Sequence, residues 1–201
     1  AWLAYELTNQ YTMLGFVMLA GSVPMVLLSL FGGVMADRVH KKLILQLGQG
    51  ASALVSFGVA VAIMIDAISL ERHTGVELLL VASTAQGIVM GLMMPARQAI
   101  IPELVGRDNL MDAVALNAVG MNINRVLAPG LAGLLIAIIG IQTVYFTMTG
   151  LYLAAVVLVT MLPLTGTISL GRKSALQDLL DGVRYVRART VLKSVLLLTL
   201  L

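Results

Sequence analysis

The chain has 201 residues, of which 59% are hydrophobic and 11% charged, and its mean hydropathy is +0.98; a soluble domain carries roughly 25% charged residues. So few charges cannot clothe a water-facing surface, and five prolines with no cysteine exclude collagen-like, disulfide-rich and thiolate-metal classes. The net charge of +3 is explained by membrane topology rather than by nucleic acid, so the chain reads as an all-α, polytopic membrane helix bundle whose first partner is the lipid bilayer.

In chain order, Trp2–Ala4 is a short apolar piece before Tyr5 and Glu6, and the last apolar run begins at Val191. A spanning helix takes about 20 apolar residues, so both terminal segments read as parts of longer helices, with the chain truncated at both ends. Met13–Met35 is uncharged and long enough to cross, and the tight basic link Asp37-Arg38-Val39-His40-Lys41-Lys42 follows it. Leu43–Ile65 crosses back and ends at Asp66, and a polar stretch to Glu77 precedes the next crossing, Leu78–Ala96. Arg97–Asp112 reads as a charged loop containing Pro102.

Val126–Gly171 contains 46 residues without a charge. As one helix it would rise roughly 69 Å, more than twice the hydrocarbon thickness. It must fold back, and Gly140-Ile141-Gln142 is the expected turn, between helices at about Ala113–Ile139 and Val144–Leu164. The loops this places on one side hold 11 of the 13 basic residues, and the positive-inside rule assigns that side to the cytoplasm. Three regions result: a transmembrane half at 1–164, a linker at 165–190 and the start of a further helix at 191–201. In the linker, Ser174 with Gln177 fits a capping box, and Leu176, Leu179, Leu180, Val183 and Val186 recur at helical spacing, as in an interfacial amphipathic helix.

Gly33-x-x-x-Asp37-Arg38 followed by Lys41-Lys42 resembles the motif between the second and third helices of the major facilitator superfamily, with His40 in place of the pattern's second glycine. Pro95-Ala96-Arg97-Gln98-Ala99-Ile100-Ile101-Pro102-Glu103, Ala113–Asn117, Tyr5–Thr8 and Gly182–Val186 are similar to its exporter branch, which includes enterobactin exporters and macrolide efflux proteins. The resemblance covers nearly the whole chain and places it from the end of helix one to the start of helix seven, out of twelve. It implies a cytoplasmic gate in which Gly33, Asp37, Arg38, Lys41 and Lys42 take part, Asp37 being the gate residue and Arg97 its plausible partner. The remaining partner it implies is the C-terminal half of the same transporter.

Ala128-Pro129-Gly130-Leu131-Ala132-Gly133 resembles the helix-five motif of the family's antiporters, with Ala128 and Ala132 in place of two glycines. Pro129 lacks an N–H, and Gly130 and Gly133 permit close helix packing. Arg125 falls near mid-membrane, where a charge is expensive and faces a cavity or a partner. Asn117, Met121 and Asn124 share or adjoin its face, which makes Arg125, Asn117 and Asn124 candidates for a substrate cavity. The arginine that drug antiporters often carry in helix four is Ser83 here, so Glu6 and Asp66, at the outer ends of helices one and three, are the remaining candidates for proton coupling.

Gly48-Gln49-Gly50-Ala51-Ser52-Ala53 matches a loose dinucleotide pattern, but it lies inside an apolar span without a preceding strand and reads as helix packing. His40 and His73 fall on opposite sides of the membrane, and no cofactor, metal or catalytic constellation is expected. The functional expectation is secondary active export of a small amphipathic molecule with protons as the coupling ion. The alternative is a transporter-like receptor or assembly subunit that moves no solute.

Overall fold

The computed structural model describes residues 2–69, 74–106 and 108–162, except for the side chains of Trp2, Val34 and Asp37. The regions read as linker helix and helix seven, 165–190 and 191–201, lie outside the described residues. The order is α1 (Trp2–Thr8), α2 (Tyr11–Arg38), α3 (Lys41–Met64), α4 (Val76–Val105) and α5 (Leu110–Met161). Among the described residues the only β pairing is an isolated bridge, Ser69 to Thr74. Helices α2 to α5 are each long and apolar enough to cross a membrane. Hydrocarbon offers no hydrogen bonds, so each crossing segment must satisfy its own backbone, which a helix does.

The side chains are distributed as lipid demands. Leu54, Val81 and Leu47 are 73%, 67% and 66% exposed, whereas Ser52, Ala60 and Ala96 are fully buried. Many large apolar groups face outward, and small or polar groups sit at several helix contacts beside apolar clusters, because lipid provides no hydrophobic force between helices. Helices α2 and α4 meet through glycine. A Cβ on Gly91 would lie 2.6 Å from the Met25 carbonyl oxygen, one on Gly32 would lie 2.6 Å from that of Gly91, and one on Gly87 would collide with that of Gly21. Helix α3 joins α4 where Gly48 leaves room for the Met93 sulfur, and where Gln86 Nε2 donates to the buried Ser52 Oγ at 3.1 Å. Gly48 thus works as a packing residue, as its apolar setting implied.

Helix α5 is two arms. Gly140 alone inside it leaves helical geometry, at φ 77° and ψ 158°, and the expected turn is therefore present. Beyond it the chain runs back along α3. Ile141 and Tyr145 pack near Val59, Phe146 meets Phe57 edge-on at 6.0 Å, and Val159 reaches the cluster around Leu45. Leu3, Ala4 and Leu7 of α1 are buried in the cluster at the far end with Val17, Val59 and Leu79.

Gly140 occupies a backbone region open essentially to glycine alone, where a side chain costs about 1–3 kcal/mol. Gly140→Ala is expected to lower the thermal midpoint of the purified protein. Gly150→Ala, whose Cβ meets nothing within 4 Å, is expected to leave it unchanged or slightly raised.

Two boundaries differ from the sequence reading. Helix α4 does not stop at Ala96 but continues through Arg97 to Val105, so the charged loop shrinks to the few residues before Leu110. A helix is free to carry its last turns beyond the hydrocarbon, where charged side chains are solvated, and the N–H that Pro95 and Pro102 each lack does not break it. Asp37 likewise lies inside the last turn of α2 rather than past it. Pro129 keeps helical backbone angles within α5.

Candidate functional site

The link between α2 and α3 consists of Val39 and His40. Val39 N–H closes the end of α2 on the Met35 carbonyl at 2.9 Å, and the N–H groups of Leu43 and Ile44 return to the His40 carbonyl at 2.9 and 3.3 Å. His40 has φ −55° and ψ 118°, angles any L-residue adopts. The glycine of the family pattern is therefore dispensable in this loop, and His40 replaces it without strain.

The basic residues after it tie the bundle together. Lys41 Nζ pairs with Glu103 Oε1 at 2.6 Å, with the two side chains 11% and 26% exposed, joining the start of α3 to the last turn of α4. Glu103 sits at a helix C-terminus, where the backbone dipole disfavours an anion, and the lysine offsets that penalty. Lys42 Nζ donates to the carbonyl oxygens of Thr160 and Leu162 at 2.7 and 2.6 Å. These are carbonyls that the end of α5 leaves without intrahelical partners, so Lys42 caps the second arm. Arg38 is exposed in the last turn of α2, where a cation suits the dipole. Gly33 has open space around its Cβ position, and the helix-packing role belongs to its neighbour Gly32. The Asp37 side chain is outside the described atoms, so the Asp37–Arg97 pairing stands as an expectation.

Arg97 also lines a cavity. A cavity of about 410 Å³ lies between α4 and the first arm of α5, lined by Arg97, Asn117, Gly120, Met121, Asn124 and Arg125. The α5 residues follow the spacing i, i+3, i+4, i+7, i+8, one face of a helix. Arg97 stands about 12 Å up α4 from Val105, and Arg125 about 22 Å along α5 from Leu110, at 1.5 Å per residue. Asn117 Nδ2 makes a long contact with Met121 Sδ at 3.7 Å. Among the described residues no ion pair or hydrogen bond engages Arg97, Asn124 or Arg125.

The other predicted residues stand apart from this cavity. Gly130 and Gly133 have nothing within 4 Å of a built Cβ, so no described helix makes a close approach to them. Glu6 is exposed on α1, and Asp66 is exposed just past α3 in left-handed geometry, φ 57°. Sequence reasoning missed Glu103 and the glycines at 21, 87 and 91. The signal for the last two was the Gly87-x-x-x-Gly91 spacing, a small-xxx-small stripe. Glu103 had no local signal, because its partner is far away in sequence.

A bundle of membrane-length helices, tied at one end by a basic motif and with a polar cavity between two of them, is that of a polytopic helical membrane protein. All 201 residues match the family model described as "transmembrane secretion effector", and the chain belongs to that family of the major facilitator superfamily. It is 28% identical over 157 residues to the staphyloferrin A transporter of Staphylococcus aureus, covering 78% of this chain and 38% of that protein. It is 32% identical over 172 residues to the enterobactin exporter EntS of Shigella boydii, covering 83% of this chain and 39% of the relative, and matches the Escherichia coli O1:K1 protein of that name to the same extent. The chain thus spans about two fifths of the length of the curated relatives it matches.

Proposed function

We propose that the full-length protein is a secondary active exporter of a small amphipathic molecule. The observation that carries this reading is the cavity between α4 and α5, where two arginines and two asparagines line a volume suited to a small molecule. The names of the relatives support export of a siderophore-type compound. The end of the bundle that carries Arg38, Lys41 and Lys42 faces the cytoplasm, in accord with the positive-inside distribution. The Asp37 motif gates that end, and the cargo is held between this bundle and the C-terminal half of the transporter. Outward movement is driven by proton antiport, for which Glu6 and Asp66 are the candidate acidic groups at the outer end.

The test is flux in inverted membrane vesicles carrying the full-length protein, with enterobactin and staphyloferrin A as first probes. Accumulation above that of empty vesicles, abolished by collapsing the pH gradient, is the expected result. Accumulation insensitive to that gradient would remove the proton from the mechanism. Absence of flux for every small molecule offered, with the protein folded and inserted, would remove the transporter reading.

A further inference from the structure

We infer that Arg97 and Arg125 form a two-point site for anionic groups of the cargo, so that the molecule moved is an amphipathic polyanion. This rests on the transporter reading above and adds the charge class of its substrate.

The argument begins with cost. An arginine about 22 Å along a membrane helix lies deep in a hydrocarbon core roughly 30 Å thick. There it faces a partner or a watery cavity, because exposure to lipid costs at least a few kcal/mol. No described residue pairs with Arg125, and the cavity wall is where its side chain lies. Arg97 reaches the same cavity from a different helix, nearer the basic end, and is also unpaired among the described residues. Among the described residues the lining contains no carboxylate. Two guanidinium groups therefore face one space with no described side chain to neutralise them, which leaves that work to whatever enters.

The rest of the lining defines the remainder of the ligand. Asn117 and Asn124 offer amide donors and acceptors beside the charges. Met121 supplies a flexible apolar surface, and Gly120 leaves room beside it. From Asn117 to Arg125 the α5 wall extends about 12 Å, enough for a body that carries acidic groups at separate points. A guanidinium donates in a planar fork matched to carboxylates and similar oxyanions.

The test is binding to the full-length protein in nanodiscs, using three probes with one fluorescent body: dansyl-glutamate with two carboxylates, uncharged dansyl amide, and cationic dansylcadaverine. Wild-type protein is expected to prefer dansyl-glutamate. Arg97→Gln and Arg125→Gln are each expected to weaken that probe about tenfold or more, the scale of one charge-assisted hydrogen bond, with dansyl amide affected less than twofold. Arg125→Lys keeps the charge without the fork and is expected to recover part of the loss. Thermal midpoints of all variants identify any that fail to fold, and the remaining arginine variant then decides. Equal binding of the three probes by the wild type, or equal losses for anionic and neutral probes in the variants, overturns the site.

A phospholipid headgroup is also an anion. Nanodiscs of phosphatidylcholine and of phosphatidylglycerol are expected to give the same dansyl-glutamate affinity. Strong competition by phosphatidylglycerol would assign the arginines to lipid and overturn the cargo site. Flux distinguishes the two readings: transport of the neutral or cationic probe with exclusion of the anionic one removes only this inference, whereas no flux of any probe removes the transporter reading while the binding comparison still judges the site.

Discussion

Gly87→Leu is expected to destroy the tightest helix contact in the bundle and to lower both the yield of folded protein and its thermal midpoint, the latter by at least about 5 °C. The atoms in the way are backbone. A Cβ on Gly87 would collide with the Gly21 carbonyl oxygen, and the Gly21 Cα would lie 3.0 Å away. One turn further along α4, Gly91 presses on Met25 in the same way, with Cα and carbonyl oxygen at 3.1 and 2.6 Å. No rotamer change relieves a clash with main chain, so α2 and α4 must separate along their length. Overpacking costs about 1–3 kcal/mol where side chains can adjust, and this contact has no side chains to adjust. Gly50→Ala is the matched control, since nothing lies within 4 Å of its Cβ position and alanine favours helix by about 0.5–1 kcal/mol. Equal midpoints for Gly87→Leu and wild type, measured by differential scanning fluorimetry in detergent, would disprove the close approach of α2 and α4.

Asp37→Asn in the full-length protein is expected to cut transport about tenfold or more, the scale of a coupling of 1–3 kcal/mol between gated states, with insertion and thermal midpoint little changed. Asparagine keeps the size of the side chain and removes its charge, and Asp37 is the one acid among the five matched motif residues. The comparison that gives this force is Glu103→Gln. That variant breaks an ion pair within the bundle and leaves the Lys41 ammonium, 11% exposed, without its partner. It is expected to cost roughly 1–2 kcal/mol of stability, between the values for surface and buried pairs, with transport falling only in proportion to the folded protein. A gate and a structural tie are thus separable by whether flux per folded molecule changes. Normal flux per molecule for Asp37→Asn would reduce the motif to a topology signal, and loss of flux per molecule for Glu103→Gln would extend the gate to α4.

Much of this molecule was legible one residue at a time. The all-α membrane class followed from the lack of charge, because a polar surface cannot be made without polar residues. The number of crossings followed from lengths measured against a fixed bilayer thickness, and the reversal at Gly140 followed because 46 uncharged residues could not remain in one straight helix. The face carrying Asn117, Met121, Asn124 and Arg125 was legible too, since helical periodicity places those residues together whatever else the chain does.

Pairings between helices were decided by tertiary structure. Lys41 was marked by the motif, but nothing near it in sequence named Glu103 at the end of α4. Lys42 was marked as a basic loop residue, while its acceptors, the carbonyls of Thr160 and Leu162, are main-chain atoms that any sequence would supply. Arg97 was read as a neighbour of the gate. Continuation of α4 past Ala96 sets it on a helix wall that lines the same cavity as Arg125. Periodicity and length are properties of a single segment and survive in the sequence. Which faces meet depends on where two helices come close enough for backbone to touch backbone, and that distance exists only once the bundle is assembled.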